Sequence, residues 1–270
     1  MKRTMLYFGS FNPIHLGHIA LAEHVVSKEL CDEVILIVSP RNPLKSDLEL
    51  ASEIERYTMS EIACAESRYP DRIKPSIVEF LLERPSYTIN TLRYLSENYS
   101  SENRFSILMG GDLISQLERW RDYNEILDNY PIYVYPRRGE VIDRYLDKIH
   151  ILEGAPLFDY SSTEIRNRLF DGESAEEMVS PGVAAHIKEQ KLWNSDSLLE
   201  LLELKREREG ESAELFLRRG KWYYRRQRWG EALNDFARAT KLEPENSEAR
   251  ELAEMVRQIL EFRYVDIYNP

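Results

Sequence analysis

Positive charge is what this chain has too little of: 36 Lys and Arg face 47 Asp and Glu in 270 residues, a formal net charge of -11. A surface of that sign does not attract nucleic acid or anionic membrane, so an anionic ligand must be met by a local basic site. Cysteine is scarce as well. Cys31 and Cys64 are the two in the chain; they have no CxxC spacing and read as buried thiols of a reducing compartment. No apolar run is long enough to span a membrane and the first residues show no signal-peptide pattern, so the expected place is the cytoplasm. What is present, 43% hydrophobic and 31% charged residues, suits one sizeable α/β domain and a smaller one.

One stretch organises the rest: Gly9-Ser10-Phe11-Asn12-Pro13-Ile14-His15-Leu16-Gly17-His18. The apolar run Met5-Leu6-Tyr7-Phe8 leads in, and a helix-like segment, Ile19 to Leu30, leads out. Strand, glycine turn and helix start deliver backbone N–H groups and a positive helix end to one spot, which welcomes an anion. His15 and His18, three apart at a helix start, share one face. Two imidazole donors beside the dipole suit a phosphate chain that gains charge during transfer. Half a zinc site is the rival reading, but no Cys, His or carboxylate nearby completes a metal set.

The pattern continues as α/β. Glu33 to Val38 is a continuous apolar run, the mark of a strand buried on both faces of a parallel sheet. Ser39 to Lys45 is a loop with two prolines, whose Arg41 and Lys45 can meet phosphate or be solvated charges. Ser52-Glu53-Ile54-Glu55 starts a helix that reaches about Glu66. Ile73 to Phe80 reads as a strand, Arg84 to Leu92 turns into a helix that ends near Tyr99, and Arg104 to Met109 is the next strand. Gly110-Gly111-Asp112 follows it, with glycines that permit close backbone approach and an Asp able to hold a ribose hydroxyl, or a plain strand–turn–helix. Ile132 to Tyr135 and Ile149 to Leu152 are the last strands. Tyr160-Ser161-Ser162-Thr163-Glu164-Ile165-Arg166 offers hydroxyls at a helix start with an Arg one turn inside, a second anion cradle. His24, His150 and His186 carry no such context.

The ten-residue stretch resembles the (H/T)xGH motif of the nucleotidyltransferase superfamily, and most of all its nicotinate mononucleotide adenylyltransferases, whose usual text is GGTF(D/N)PIHxGH. Ser10 is a mild departure from it. Arg84 to Leu92 resembles the family's RPSYTxDTL, with Asn90 in place of Asp. Gly110-Gly111-Asp112 with Trp120 resembles its GxD…W, and Ser161 to Arg166 its ISSTxxR, with Tyr160 in place of Ile. Ser39 to Lys45 resembles its PPHK loop, although Leu44 replaces the His. Arg137, in the turn after Tyr135, is a weaker phosphate candidate of the same origin. The likeness covers roughly residues 1–193.

The resemblance implies a Rossmann-like parallel sheet and transfer of AMP from ATP to nicotinate mononucleotide, with magnesium on the triphosphate. It implies that His15, His18 and Arg166 are catalytic. Gly9, Ser10, Phe11, Gly110, Asp112 and Ser161 would line the ATP site. Lys45, Tyr87, Thr88, Asn90 and Trp120 would meet the nicotinate nucleotide. By packing alone, Trp120 would be a core residue and Tyr87 and Thr88 ordinary core and N-cap residues. Pantetheine-phosphate adenylyltransferase is the rival within the superfamily, and a non-catalytic nucleotide-binding scaffold the rival outside it.

From Asn194 the character changes to Leu-, Glu- and Arg-rich helices. Residues 194–270 form a small all-α appendage, in which Ala213 to Asn246 carries Gly220, Tyr223, Ala232, Phe236, Ala239 and Pro244 at tetratricopeptide-like positions. Helices over about Ser197–Glu209 and Ser247–Tyr264 flank it. A lone repeat needs covering faces, hence an expected oligomer or protein partner. Its basic run from Arg218 to Arg228 reads more simply as a solvated helix face.

Overall fold

Six strands form one sheet in the computed structural model, which describes residues 1–40, 49–99, 101–136 and 142–268, the last six of them as backbone alone. In chain order they are β1 (Lys2–Gly9), β2 (Glu33–Val38), β3 (Ile73–Ser76), β4 (Asn103–Gly110), β5 (Ile132–Tyr135) and β6 (Ile149–Ile151). Their order in the sheet is β3-β2-β1-β4-β5-β6, and each neighbouring pair is parallel. The sequence therefore steps one way from β1 to β3, then returns to the other side of β1 with β4. That reversal between β1 and β4 is the switch point at which open α/β sheets bind ligands, beyond the carboxyl ends of the strands.

The strands are as apolar as burial on both faces requires. Thr4 to Tyr7 of β1 are all buried, and only Ile35 of β2 is less than fully so. Leu6, Ile107, Met109, Ile132 and Val134 build a core with Ile89 and Leu92 of α4 (Thr88–Tyr99) and with Ile114, Leu117 and Ile126 beyond β4. Cys31 and Cys64 are buried and free, and burial pushes both thiols up to about 12.

Two expectations are corrected here. The first helix, α1, is Leu16–Ser27, so it starts inside the motif at Leu16 instead of Ile19. It stops before Leu30 because Glu29 adopts a positive φ of 55°. The strand expected over Ile73 to Phe80 ends at Ser76, and Val78–Leu81 coil into a short helix, α3. The β2–β3 ladder ends at the Ile37↔Ser76 pair, one residue before β2 itself closes at Val38. The Ser76 hydroxyl then accepts the Val78 N–H at 3.3 Å and turns the chain.

The chain divides into two compact units: Met1–Asn167 with Ser174–Leu192, and Arg168–Glu173 with Trp193–Pro270. The second is helical, with α9 (Leu198–Glu209), α10 (Ala213–Arg225), α11 (Trp229–Leu242) and α12 (Ser247–Tyr268). Helix α10 packs along α11, and α11 along α12. Where α10 meets α11, a Cβ on Gly220 would come within 2.6 Å of the Phe236 ring, which is wholly buried with Ala232 and Ala239. The basic run is mostly spent on neighbours: Arg219 grips Asp235 with two bonds of 2.8 Å, while Lys221, Arg225, Arg226 and Arg228 pair with Glu248, Asp171, Asp196 and Glu231. The reading of a solvated helix face holds for Arg228, half exposed, but not for Arg219, whose pair with Asp235 is largely buried.

Candidate active site

The loop from β1 to α1 takes its shape from its own side chains. Phe11 sits at a positive φ of 46° and turns its ring inward, edge-on to Tyr7 at 5.7 Å and to His18 at 5.2 Å. The ring lies against Gly9, where a Cβ would stand 2.9 Å from it, so no side chain fits there. His15 is then the N-cap of α1, and its N–H donates to Nδ1 of His18 at 3.2 Å. The two imidazoles stack with centroids 3.7 Å apart. With Nδ1 accepting, the neutral His18 ring carries its hydrogen on Nε2, which makes it a donor at the positive end of the helix. The Leu16 N–H is committed to the Met178 carbonyl at 2.9 Å.

Residues far along the chain tie onto this loop. Asn12, 5% exposed, donates to the Glu49 carbonyl and accepts from the Ala51 N–H, both at 3.0 Å. Arg166, on α7 (Ser162–Phe170), donates from Nη1 to the Asn12 carbonyl at 2.8 Å and from Nη2 and Nε to the Glu49 carboxylate at 3.0 and 3.1 Å. The Ser162 hydroxyl donates to the Pro13 carbonyl at 2.9 Å. Ser161 caps α7, accepting the Glu164 N–H at 3.3 Å, and Tyr160 stands edge-on to His15 at 5.5 Å. The two anion cradles of the sequence are thus one structure.

Beneath them lies a residue that motif reading overlooked. Arg56, on α2 (Glu53–Ala65), has no exposed surface. It donates to the Ser10 carbonyl at 2.8 Å, Ser39 at 2.5 Å, Pro40 at 2.6 Å and Ala51 at 3.1 Å, so one guanidinium fixes the end of β1, the end of β2 and the lead into α2. Burial pushes it down to about 10, still cationic at neutral pH. A signal was there: Arg56 falls on the stripe of Met59, Ser60, Ala63 and Cys64, the inward face of α2. Glu79 on α3 plays a like part from the other side; it is 3% exposed, accepts from Thr91 at 2.9 Å, and burial pushes its carboxyl up against the pull of the Ser39 and Thr91 hydroxyls.

At the carboxyl end of β4, a Cβ on Gly110 would run into Asp112 Oδ1, so a side chain there would displace the Asp112 carboxylate. The same spot lies 3.2 Å from the Tyr135 hydroxyl, which is 3.1 Å from that of Tyr7, whose ring is 6.0 Å from His18. Tyr7 and Tyr135 therefore connect the Gly110–Asp112 turn to the histidines. Tyr87 and Trp120 both pack on the rim of the β4 core, with Arg121 5.2 Å above the Tyr87 ring. Thr88 opens α4, and Asn90 lies in its first turn with its N–H on the Tyr87 carbonyl at 2.9 Å. Arg41, Leu44, Lys45 and Arg137 lie outside the described residues. His186 pairs with Glu55 at 2.5 Å and His150 stacks on Tyr133, while His24 is lowered by burial; all three stay outside this site.

Comparison with known proteins bears on this arrangement. Residues 6–168 match the model of the cytidylyltransferase-like family. The probable nicotinate-nucleotide adenylyltransferase of Flavobacterium johnsoniae is 39% identical over 186 residues, 67% of this chain and 94% of that protein. Its counterpart from Cytophaga hutchinsonii is 35% identical over 191 residues, 70% of this chain and 97% of that one. Among solved structures, Plasmodium falciparum nicotinic acid mononucleotide adenylyltransferase complexed with NaAD superposes with a TM-score of 0.61 at 18% identity, over 72% of this chain and 98% of that one. At that identity the likeness is one of fold.

Proposed function

Because this chain belongs to the cytidylyltransferase-like family, and within it to the nicotinate-nucleotide adenylyltransferases, we propose that it transfers AMP from ATP to nicotinate mononucleotide, giving deamido-NAD and pyrophosphate. The observation that carries this reading is the convergence of His15, His18 and Arg166 on one loop at the switch point of the sheet. A phosphate oxygen of the mononucleotide attacks the α-phosphorus of ATP in line; a P–O bond forms there as the bond to the β-phosphate oxygen breaks, and pyrophosphate leaves. No covalent protein nucleophile is required, so catalysis is positioning and charge stabilisation.

In that scheme His18 donates through Nε2 to the triphosphate, with His15 stacked behind it, and Arg166 supplies guanidinium hydrogens. Gly9, Ser10, Phe11 and Ser161 shape the phosphate side, where Phe11 acts by holding the loop from within. Gly110 and Asp112 take the ribose and base. Magnesium would accompany the triphosphate as part of the substrate and would supply neutralisation of its phosphate charge. Tyr87, Thr88, Asn90, Trp120 and Lys45 receive the nicotinate nucleotide. If the Trp120 indole stacks on the pyridine, Trp120→Ala weakens nicotinate mononucleotide by about 1–3 kcal/mol and leaves ATP nearly unchanged. Equal weakening of both, with a lower Tm, would show Trp120 to be a packing residue.

Residues 1–193 carry every group assigned here, which supports reading them as the nucleotidyltransferase domain and 194–270 as an appendage built on one tetratricopeptide-like repeat. The close Gly220–Phe236 seam supports the repeat; α9 and α12 lie against it, and the surface they leave exposed suits another subunit or a protein partner. The cytoplasm is the compartment in which two buried free thiols persist; among the described residues no helix is long and apolar enough to cross a membrane. The deciding assay is pyrophosphate release from ATP with nicotinate mononucleotide, its amide and phosphopantetheine offered in parallel. Turnover with phosphopantetheine alone would move the chain to the rival adenylyltransferases, and none with any acceptor would favour a scaffold.

A further inference from the structure

We propose that Glu49 is a positioning residue that sets the guanidinium of Arg166 for phosphate, an inference that rests on the role given to Arg166 above. Arg166 and Glu49 each have only 13% of their side-chain surface exposed, so water screens the pair weakly. The carboxylate takes a single edge of the guanidinium: Oε2 accepts from Nε at 3.1 Å and Nη2 at 3.0 Å, while the Asn12 carbonyl holds Nη1 at 2.8 Å. A guanidinium has five N–H groups. These contacts use one on each nitrogen, and Thr163 Oγ1 at 3.4 Å is the remaining contact, on Nη2. One N–H on Nη1 is therefore open to a phosphate, and the Nη2 N–H on its long 3.4 Å contact with Thr163 is the second that a phosphate would take in a bidentate grip, with the adjacent Nε–Nη2 edge already clamped.

Glu49 is itself held from the motif loop. Its carbonyl accepts from Asn12 Nδ2, whose Oδ1 receives the Ala51 N–H, both at 3.0 Å. Asn12 thus anchors both partners, the Glu49 backbone through its amide and the Arg166 guanidinium through its carbonyl. A freely rotating arginine would have to surrender several rotors when it bound phosphate; here that ordering is complete beforehand. An acid beside an anion site normally opposes the ligand, and orientation must outweigh that repulsion for Glu49 to serve here.

The test is a double-mutant cycle in the full-length protein, read by steady-state kinetics and melting. Glu49→Ala should lower kcat about tenfold and change KM for ATP less than threefold, with Tm held within a few degrees. Glu49→Gln, which keeps an acceptor oxygen, should recover most of kcat. In an Arg166→Ala background, Glu49→Ala should change kcat less than twofold. Full turnover in Glu49→Ala while Arg166→Ala is inactive would overturn this inference and leave the function intact. A lower KM for ATP in Glu49→Ala would also overturn it, showing that the carboxylate competes with phosphate. Normal turnover in Arg166→Ala would overturn the Arg166 role and this inference with it.

Discussion

Replacing His18 by alanine is expected to lower turnover by roughly two to three decades, the loss that follows removal of one preorganised donor to developing charge. His18 is also structural, since its Nδ1 accepts the His15 N–H at 3.2 Å and so caps α1. Losing that cap costs about 1 kcal/mol, and a modest fall in Tm would accompany the kinetic loss. His18→Asn separates the two effects: an amide oxygen can still receive the His15 N–H, but nothing stands where Nε2 stood. We expect His18→Asn to melt like the parent and to turn over as poorly as the alanine variant. Near-normal turnover in either variant would show that phosphate is held elsewhere.

The second large effect is on stability. Arg56→Met should cost about 3–5 kcal/mol, read from urea unfolding, because it strips the donors from four carbonyls, one in a buried and three in part-buried hydrogen bonds, that a wholly buried guanidinium had satisfied. Methionine fills much of the volume, so a cavity contributes little and the loss reports the hydrogen bonds. Arg56→Lys keeps the charge but offers a point-like ammonium in place of a fork, and an intermediate loss follows. A loss under 1 kcal/mol in Arg56→Met would mean that Ser10, Ser39, Pro40 and Ala51 find water instead, and that the guanidinium does not hold the loops.

The parts legible in the sequence were those dictated by local chemistry. The apolar run that follows Glu33, Val34 to Val38, is a strand as it stands, because a central parallel strand is buried on both sides, and Ile132–Tyr135 is a strand with Ile132 and Val134 buried. The resemblance to nicotinate mononucleotide adenylyltransferases is borne out by relatives that match over nearly their whole length. What eluded sequence reading depends on what comes near in space. Ile73 to Phe80 alternates well enough to read as a strand, and the turn that the Ser76 hydroxyl makes with the Val78 N–H ends it at Ser76. Glu49 looks like a surface charge until its partner, remote in sequence, is known, and Arg56, although on the inward stripe of α2, shows its role only once Ser10 and Ser39 are in place. The inward placement of Phe11 escaped as well, since a phenylalanine in a glycine loop announces neither a positive φ nor a ring packed under the loop.

Arg166 meets the Asn12 carbonyl across 154 positions of chain, and Ser162 meets Pro13 across 149. Neither contact can exist on a nascent or half-folded polypeptide whose α7 has not docked, so the guanidinium joins the two imidazoles only once that helix is in place. ATP is accordingly a ligand of the native state alone. By mass action it adds about 2.7 kcal/mol of stability at a hundredfold excess over its Kd, and it does so by slowing unfolding, with no template role for the folding chain. The cell's own nucleotide supply would then act as a thermodynamic guardian of the folded molecule, tying the survival of the protein to the abundance of the compound it consumes.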